Sequence, residues 1–438
     1  MIYGWYIADL INLFSGFIFS WLLASIMPLE IYSLISIAVA YSSIFQIFIR
    51  SNTVLIAYQA KNDKGLRNLY NSVLIRHAGI IICISILALF SIIFFKVKLF
   101  YFLLCTITID TANTLWAIKR FSLGRFKYGY LFSLLRISKL FVLLAGLIVI
   151  NQLNINSSEK TFYLLLYSII SITPLLTVLS VKDLKIKNSS FLSLNFRTNF
   201  FSISEIKKYF SIFIDNLYIN FKNSFKKSLK LLPQVWLGSY AIITLSYKSE
   251  SLDLISVVAV GKLVTGLSST LFLAKVNSLL EKYGKEIVDD LNIVLKSRVN
   301  HCFKIIQYGT LISLLITVFS FIFKENNLFD ILIKTNKNSA IELTFQNNYL
   351  LFIFLCSFLG VLLTVNAYLW NFYQTTNANS NISSLIIILN IIIFSCVIYY
   401  FPSLNPSILI SLELISNFAI FTLFALGVPN KNLFNRRN

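Results

Sequence analysis

The chain has 438 residues, a hydrophobic fraction of 57% and a mean hydropathy of +0.76. Charged residues make up only 13%, yet 38 Lys and Arg against 18 Asp and Glu leave a formal charge of +20. Soluble domains average about 25% charged residues, whereas here apolar residues come in blocks of the roughly 18–25 that cross a bilayer, which excludes a soluble catalyst, a secreted disulfide scaffold and a disordered chain.

Twelve apolar blocks follow one another, at about 2–27, 31–58, 74–95, 98–118, 130–150, 161–181, 209–246, 252–274, 302–323, 348–373, 382–401 and 405–428. The first opens on Met1-Ile-Tyr-Gly-Trp-Tyr, without a basic segment ahead of it, and reads as a transmembrane helix with no cleaved signal peptide. The seventh is long and polar in its first half. The expected fold is an all-α polytopic membrane protein, with about twelve transmembrane helices in two six-helix lobes around a central cavity.

Alternate connections differ sharply in charge. Counting loops and span ends, 25 of the Lys and Arg fall on one side, from Lys61, Lys64, Arg67 and Arg76 through Lys296, Arg298 and Lys304 to the C-terminal tail. The other side holds 7, Lys96 and Lys337 among them. Cytoplasmic loops carry the Lys and Arg excess, so both termini are expected inside a bacterial cytoplasmic (inner) membrane. Basic loops also hold anionic lipid, at about 1 kcal/mol per residue near the surface. Nucleic acid is not an expected partner.

The remaining 6 cations, Arg50, Lys222, Lys226, Lys227, Lys230 and Lys262, fall inside predicted spans. Each costs at least about 2.5–3.5 kcal/mol at a helix centre unless an aqueous or anionic environment receives it. At 100° per residue, Asp215, Lys222, Lys226, Lys230 and Pro233 share an arc of about 80°, with Asn216, Asn220 and Asn223 alongside. A polar stripe on span 7 is one reading. A surface helix over 205–230, lying at the cytoplasmic interface, is the other. Lys262, in Val260-Gly261-Lys262-Leu263-Val264-Thr265-Gly266, lies near the midplane of span 8. Arg50 sits in the inner half of span 2, where a snorkelling side chain is an alternative. The intramembrane acids are Asp9, Asp110, Asp215 and Glu413; each could pair with a lysine or carry a coupling proton.

Other residue types offer less chemistry. Cys83, Cys105, Cys302, Cys356 and Cys396 have no metal-ligand spacing and read as buried small hydrophobes. His77 and His301 lie at the inner edges of spans and read as interfacial polar residues. No metal, cofactor or catalytic cluster is expected, and the outer loops, the longest about 324–347, are too small for a catalytic domain. The basic connection 182–208 separates the halves 1–181 and 209–438. Leu34-Ile-Ser-Ile-Ala-Val-Ala40 matches Leu254-Ile-Ser-Val-Val-Ala-Val260 at an offset of 220, which suggests two parallel lobes with a transport site at their interface. A cation-lined cavity there suits a large anionic or polar substrate, since phosphate is held well by Lys and Arg donors.

Four stretches carry a family resemblance. The run from Asn12-Leu-Phe-Ser-Gly16 through Trp21 to Pro28-Leu-Glu30-Ile-Tyr32 resembles the first helix, proline loop and second-helix start of the polysaccharide (O-antigen and capsule) repeat-unit flippases, a branch of the multidrug/oligosaccharidyl-lipid/polysaccharide exporter superfamily. Ser33 stands where that family often has Gly. Asn223-Ser-Phe-Lys226-Lys-Ser-Leu-Lys230-Leu-Leu-Pro233 is similar to its polar seventh helix, without the Asp often found near that proline. Val258-Ala-Val-Gly-Lys262 through Lys275 and Glu281 is similar to its eighth, and the last three spans, ending around Glu413, complete the likeness.

The resemblance implies a non-enzymatic flippase. It would move an undecaprenyl-diphosphate-linked oligosaccharide from the cytoplasmic to the outer leaflet by alternating access, supplying polysaccharide polymerase machinery. It maps the substrate-binding cations onto Lys222, Lys226, Lys230 and Lys262, with Arg50 beside them, and leaves Asp9, Asp215 and Glu413 as candidate coupling or charge-pairing residues. The rivals are a multidrug/cation antiporter of the same superfamily, which calls for a mainly acidic cavity, and a peptidoglycan-precursor flippase, which usually has additional spans. A membrane polysaccharide polymerase or ligase, from another class, needs a large outer loop.

Overall fold

The computed structural model describes residues 3–50, 73–86, 97–122, 131–153, 155, 159–180, 232–233, 236–247, 252–283, 291–325, 340–341, 344, 349–375, 380–401 and 405–428. Among them the regular structure is helical and no strand occurs. In chain order the helices are α1 (Tyr3–Ile26), α2 (Leu29–Arg50), α3 (Val73–Ile86), α4 (Val97–Ser122), α5 (Leu131–Gln152) and α6 (Lys160–Ser180). The series continues with α7 (Tyr240–Ser246), α8 (Leu252–Tyr283), α9 (Leu291–Glu325), α10 (Tyr349–Thr375), α11 (Ser380–Tyr400) and α12 (Pro406–Ala425). Each lies within or overlaps one of the twelve apolar blocks. Seven described helices, α4, α6 and α8 to α12, are long and apolar enough to cross a membrane, and α1, α2, α3 and α5 contain shorter apolar stretches. The chain is an all-α polytopic membrane protein.

Packing divides it into two compact units, one of residues 1–19 and 37–235, the other of 20–36 and 236–438. In the first, α6 packs against α4 and α5. Tyr101 of α4 donates to the Leu164 carbonyl of α6 at 2.9 Å, and Thr106 bonds Tyr167 at 3.2 Å. The outer face of α6, Leu165, Ile169, Ile172, Leu176 and Leu179, is exposed at spacings of three and four, the pattern of one helical face turned to lipid.

The turn between α1 and α2 belongs to the second unit. Leu22, Leu23, Met27, Ile31 and Tyr32 are buried there, and the Ser256 hydroxyl of α8 lies 3.5 Å from the Leu29 carbonyl. Ser36 and Ser256, which stand 220 positions apart in the matched aliphatic stretches, are both buried.

α10 is the centre of the second unit, flanked by α8, α9 and α12. Lipid tails are as apolar as leucine, so hydrophobicity does not drive such helices together and small residues and polar contacts do. Thr265 of α8 donates to the Cys356 carbonyl of α10 at 2.9 Å, and Ser268 to the Ser357 carbonyl at 2.7 Å. Contacts that advance together along both helices mean that α8 and α10 run parallel. α10 and α12 are parallel too, joined at Asn366–Asn417 and by Tyr373, whose hydroxyl donates to the Phe424 carbonyl at 2.6 Å.

Glycine permits the closest approach. A Cβ on Gly360 would overlap the Ser268 hydroxyl and the Thr265 carbonyl, and one on Gly261 would come within 2.6 Å of Cys356 Sγ and 2.7 Å of the Phe352 ring. On α9, Arg298, Cys302, Ile305 and Ser313 are buried while Tyr308, Leu311, Leu315, Phe319 and Ile322 are exposed. The polar Arg298 and Ser313 therefore face protein, and most of the large apolar residues of the exposed face are turned outward.

Two readings of single residue types change here. Cys302 and Cys356 are buried and Cys105 is intermediate, but Cys83 and Cys396 lie on exposed faces. An apolar face suits lipid as well as a protein core, so apolar surroundings do not distinguish the two. His77 is buried within the protein.

Gly360→Leu should lower stability by about 1–3 kcal/mol through overpacking of α8 against α10. Gly266→Leu, with nothing within 4 Å of its Cβ, should stay within about 0.5 kcal/mol of the parent. Thermal unfolding of the detergent-solubilised proteins checks the contrast.

Candidate functional site

Lys262 lies ten residues into α8 and Glu413 seven into α12, depths of about 15 and 10 Å at 1.5 Å per residue. Both helices flank α10 and run parallel to it, which brings the two side chains within reach of each other. Lys262 Nζ donates to Glu413 Oε2 in an ion pair. The carboxylate is wholly buried, while 14% of the lysine side chain is exposed.

Polar groups surround the pair. Asn417, one turn beyond Glu413, donates to the Glu413 backbone carbonyl at 2.9 Å. Asn366 Nδ2 of α10 donates in turn to Asn417 O at 2.9 Å and Asn417 Oδ1 at 3.1 Å. Tyr240 of α7 is buried beside Ser416 within the field of Glu413. The Cys356 thiol of α10 feels both charges of the pair. Glu413 Oε1 is enclosed without a hydrogen-bond partner. The signal in the sequence was partial: Lys262 and Glu413 both stood out as charges inside apolar spans, but nothing local joined them.

The other candidates are placed less completely. Lys222, Lys226, Lys227, Lys230 and Asp215 lie outside the described residues, as does the polar part of the seventh block. Asp9 and Arg50 belong to α1 and α2, but their side chains are not among those described. Asp110 is buried on α4 and accepts a hydrogen bond from the Ser42 hydroxyl of α2 at 3.1 Å.

Three residues carry more structural weight than their sequence positions implied. Arg76 and Arg298, counted with the cytoplasmic-side cations, are not solvated: they are 3% and 5% exposed, on α3 and α9. The Arg298 guanidinium lies 5.1 Å from the Tyr368 ring centroid and 4.9 Å from that of Phe372, inside the range of cation–π attraction. His77, next to Arg76, meets Thr111 of α4 through Nδ1 at 2.5 Å. The single Thr111 hydroxyl proton goes to the Ile107 carbonyl at 2.9 Å, so its oxygen accepts from Nδ1–H. All three sit close to the ends of apolar blocks, where a basic residue looks topological. His301 bonds the Ser297 carbonyl one turn back at 2.7 Å. Among the described residues no three His, Cys, Asp or Glu side chains cluster as metal ligands would.

Removing one partner of a buried pair strands the other charge, at a cost of about 3–5 kcal/mol, whereas apolar replacement of both is often neutral. Glu413→Ala should therefore destabilise the protein by about that amount, and Lys262→Met with Glu413→Leu should recover most of it. Unfolding midpoints in detergent, measured for both variants, test the double-mutant contrast.

No protein-family model matches the chain, and no curated protein sequence matches it. Among solved structures its fold is similar to that of the lipid II flippase MurJ in an inward closed conformation, with a TM-score of 0.59 and 15% sequence identity, over 97% of this chain and 87% of that one.

Proposed function

We propose that the protein is a flippase that carries undecaprenyl-diphosphate-linked oligosaccharide repeat units from the cytoplasmic to the outer leaflet by alternating access. The observation that supports this most is the likeness in fold, across nearly the whole chain, to a solved lipid II flippase. The physical problem such a protein solves is the diphosphate, whose charge costs tens of kcal/mol to move unpaired through a medium of low dielectric constant. Lys222, Lys226, Lys230, Lys262 and Arg50 are the cations proposed to receive it, lysine acting as a mobile point charge with three donors. The isoprenoid tail needs no such help and stays in the bilayer. Asp9, Asp215 and Glu413 are the carboxylates proposed to couple the cycle to an ion gradient or to balance the lysines. The chain would sit in a bacterial cytoplasmic membrane with both termini inside, handing its product to polymerase machinery on the other face.

Likeness to a lipid II flippase also favours a second reading, in which lipid II itself is the cargo. Deletion of the gene separates the two, since the transported lipid accumulates on the cytoplasmic leaflet: repeat-unit lipid under the first reading, lipid II under the second.

Lys226→Ala with Lys230→Ala should leave the protein folded and inserted. Two charge-assisted phosphate contacts at about 1.5–3 kcal/mol each are lost, so export should fall roughly a hundredfold or more. Polymer export assayed in a complemented deletion strain gives the answer, and normal export would sink the assignment.

A further inference from the structure

We infer that Lys262 and Glu413 form an anion-exchange latch, in which a diphosphate entering the second unit draws Lys262 away from Glu413 and the carboxylate left behind binds one proton. The inference rests on the lipid-diphosphate reading above and adds to it a stoichiometry and a proton-binding residue.

Unequal burial sets the order of events. The Lys262 side chain keeps some exposed surface and Glu413 keeps none, so of the two the lysine is the one an incoming anion can meet. Of the three N–H donors of Lys262, the described structure occupies one, with Glu413. The others are free to take a phosphate oxygen, and the four-carbon stem lets the ammonium follow it without backbone movement.

The carboxylate has no second cation to turn to among the described residues. From α7 it faces Tyr240 and from α10 the Cys356 thiol, both neutral polar groups, while the Asn366 amide is engaged with Asn417. α11 supplies no charge, since residues 380–401 contain no Asp, Glu, Lys, Arg or His. Arg298 of α9 lies over Phe372, whose neighbour Tyr373 bonds the Phe424 carbonyl. Tyr368, the other ring under Arg298, lies two residues past Asn366, the partner of Asn417, so the guanidinium begins roughly 9 Å along α12 from Glu413.

A buried carboxylate stripped of its counterion neutralises by taking up a proton. The step balances: the ammonium keeps its three protons and changes partner, Glu413 gains one proton from water, and no covalent bond between heavy atoms changes. When the anion leaves, Lys262 returns and the proton is expelled. Anion binding and proton binding are thereby linked in one unit of the fold.

The test uses the full chain in detergent near neutral pH, with farnesyl diphosphate and inorganic pyrophosphate as separate probes. Calorimetry in buffers of differing ionisation enthalpy reads the protons taken up on binding. The wild type should take up about one proton per diphosphate bound, and Glu413→Gln should bind at least as tightly with no uptake. Infrared difference spectra of the wild type should gain the carbonyl band of a protonated carboxyl group, a readout that does not depend on the variant folding. Uptake with farnesyl diphosphate alone ties the latch to a lipid headgroup, and uptake with both supports a general diphosphate site. Binding without uptake or without the infrared band overturns the latch and leaves the flippase reading standing. Uptake that persists in a folded Glu413→Gln protein overturns Glu413 as the proton acceptor. Failure of both probes to bind wild type and variant overturns the latch together with the lipid-diphosphate reading.

Discussion

A charge inside a membrane protein has no bulk water to fall back on, and the organisation of the second unit follows from that constraint. Lys262 and Glu413 are 151 positions apart in the chain. Each alone would impose several kcal/mol of desolvation, and together they are tolerable only if two helices hold them within reach of each other. α10 supplies that alignment by running parallel to both α8 and α12. Its own polar contribution, Asn366, is spent on Asn417, the residue that bonds the Glu413 backbone. The pair is thus fixed from the α12 side and more open at the lysine.

The way α8 meets α10 follows from the same environment. Hydroxyl groups on Thr265 and Ser268 bond carbonyls across the interface, and Gly261 and Gly360 let the backbones approach until those bonds can form. A bulkier residue at either glycine would separate the helices and move Lys262 relative to Glu413. Packing and electrostatics in this unit are therefore one constraint expressed twice, and a defect in either reaches the other.

The helices were largely legible in the sequence because a bilayer span is specified locally, by a run of apolar residues long enough to cross. Charge positions were legible for a related reason: Lys262 and Glu413 stand out against Ile, Leu and Val. Their partnership was not, because pairing is a relation between distant helices and neither residue carries a local sign of the other. The burial of Arg76, Arg298 and His77 was not legible for a different reason. A cation near the end of an apolar block looks the same in sequence whether its side chain reaches lipid headgroups or turns onto a neighbouring helix. What decided the outcome for Arg298 was Tyr368 and Phe372 on α10, two rings at the right depth some seventy residues away. The turn of α1 and α2 posed the same difficulty, since nothing in its apolar run marks where residues 20–36 change their packing neighbours.

The two buried arginines also bear on how the halves are built. Arg76 and Arg298 are separated by 222 positions, within two of the offset that relates Leu34-Ile-Ser to Leu254-Ile-Ser. Each lies near the start of the third helix of its half. In the second unit Arg298 itself engages the next helix, α10; in the first, its neighbour His77 does so through Thr111 of α4. The same helix pair in both halves is thus tied by a basic side chain buried near the beginning of the third helix. A matched aliphatic stretch could arise by chance among so many Ile and Leu residues. Buried arginines near the starts of both third helices add a second point of likeness between the halves. In the second unit a lysine–glutamate pair joins α8 to α12, and in the first Asp110 of α4 accepts from the Ser42 hydroxyl of α2.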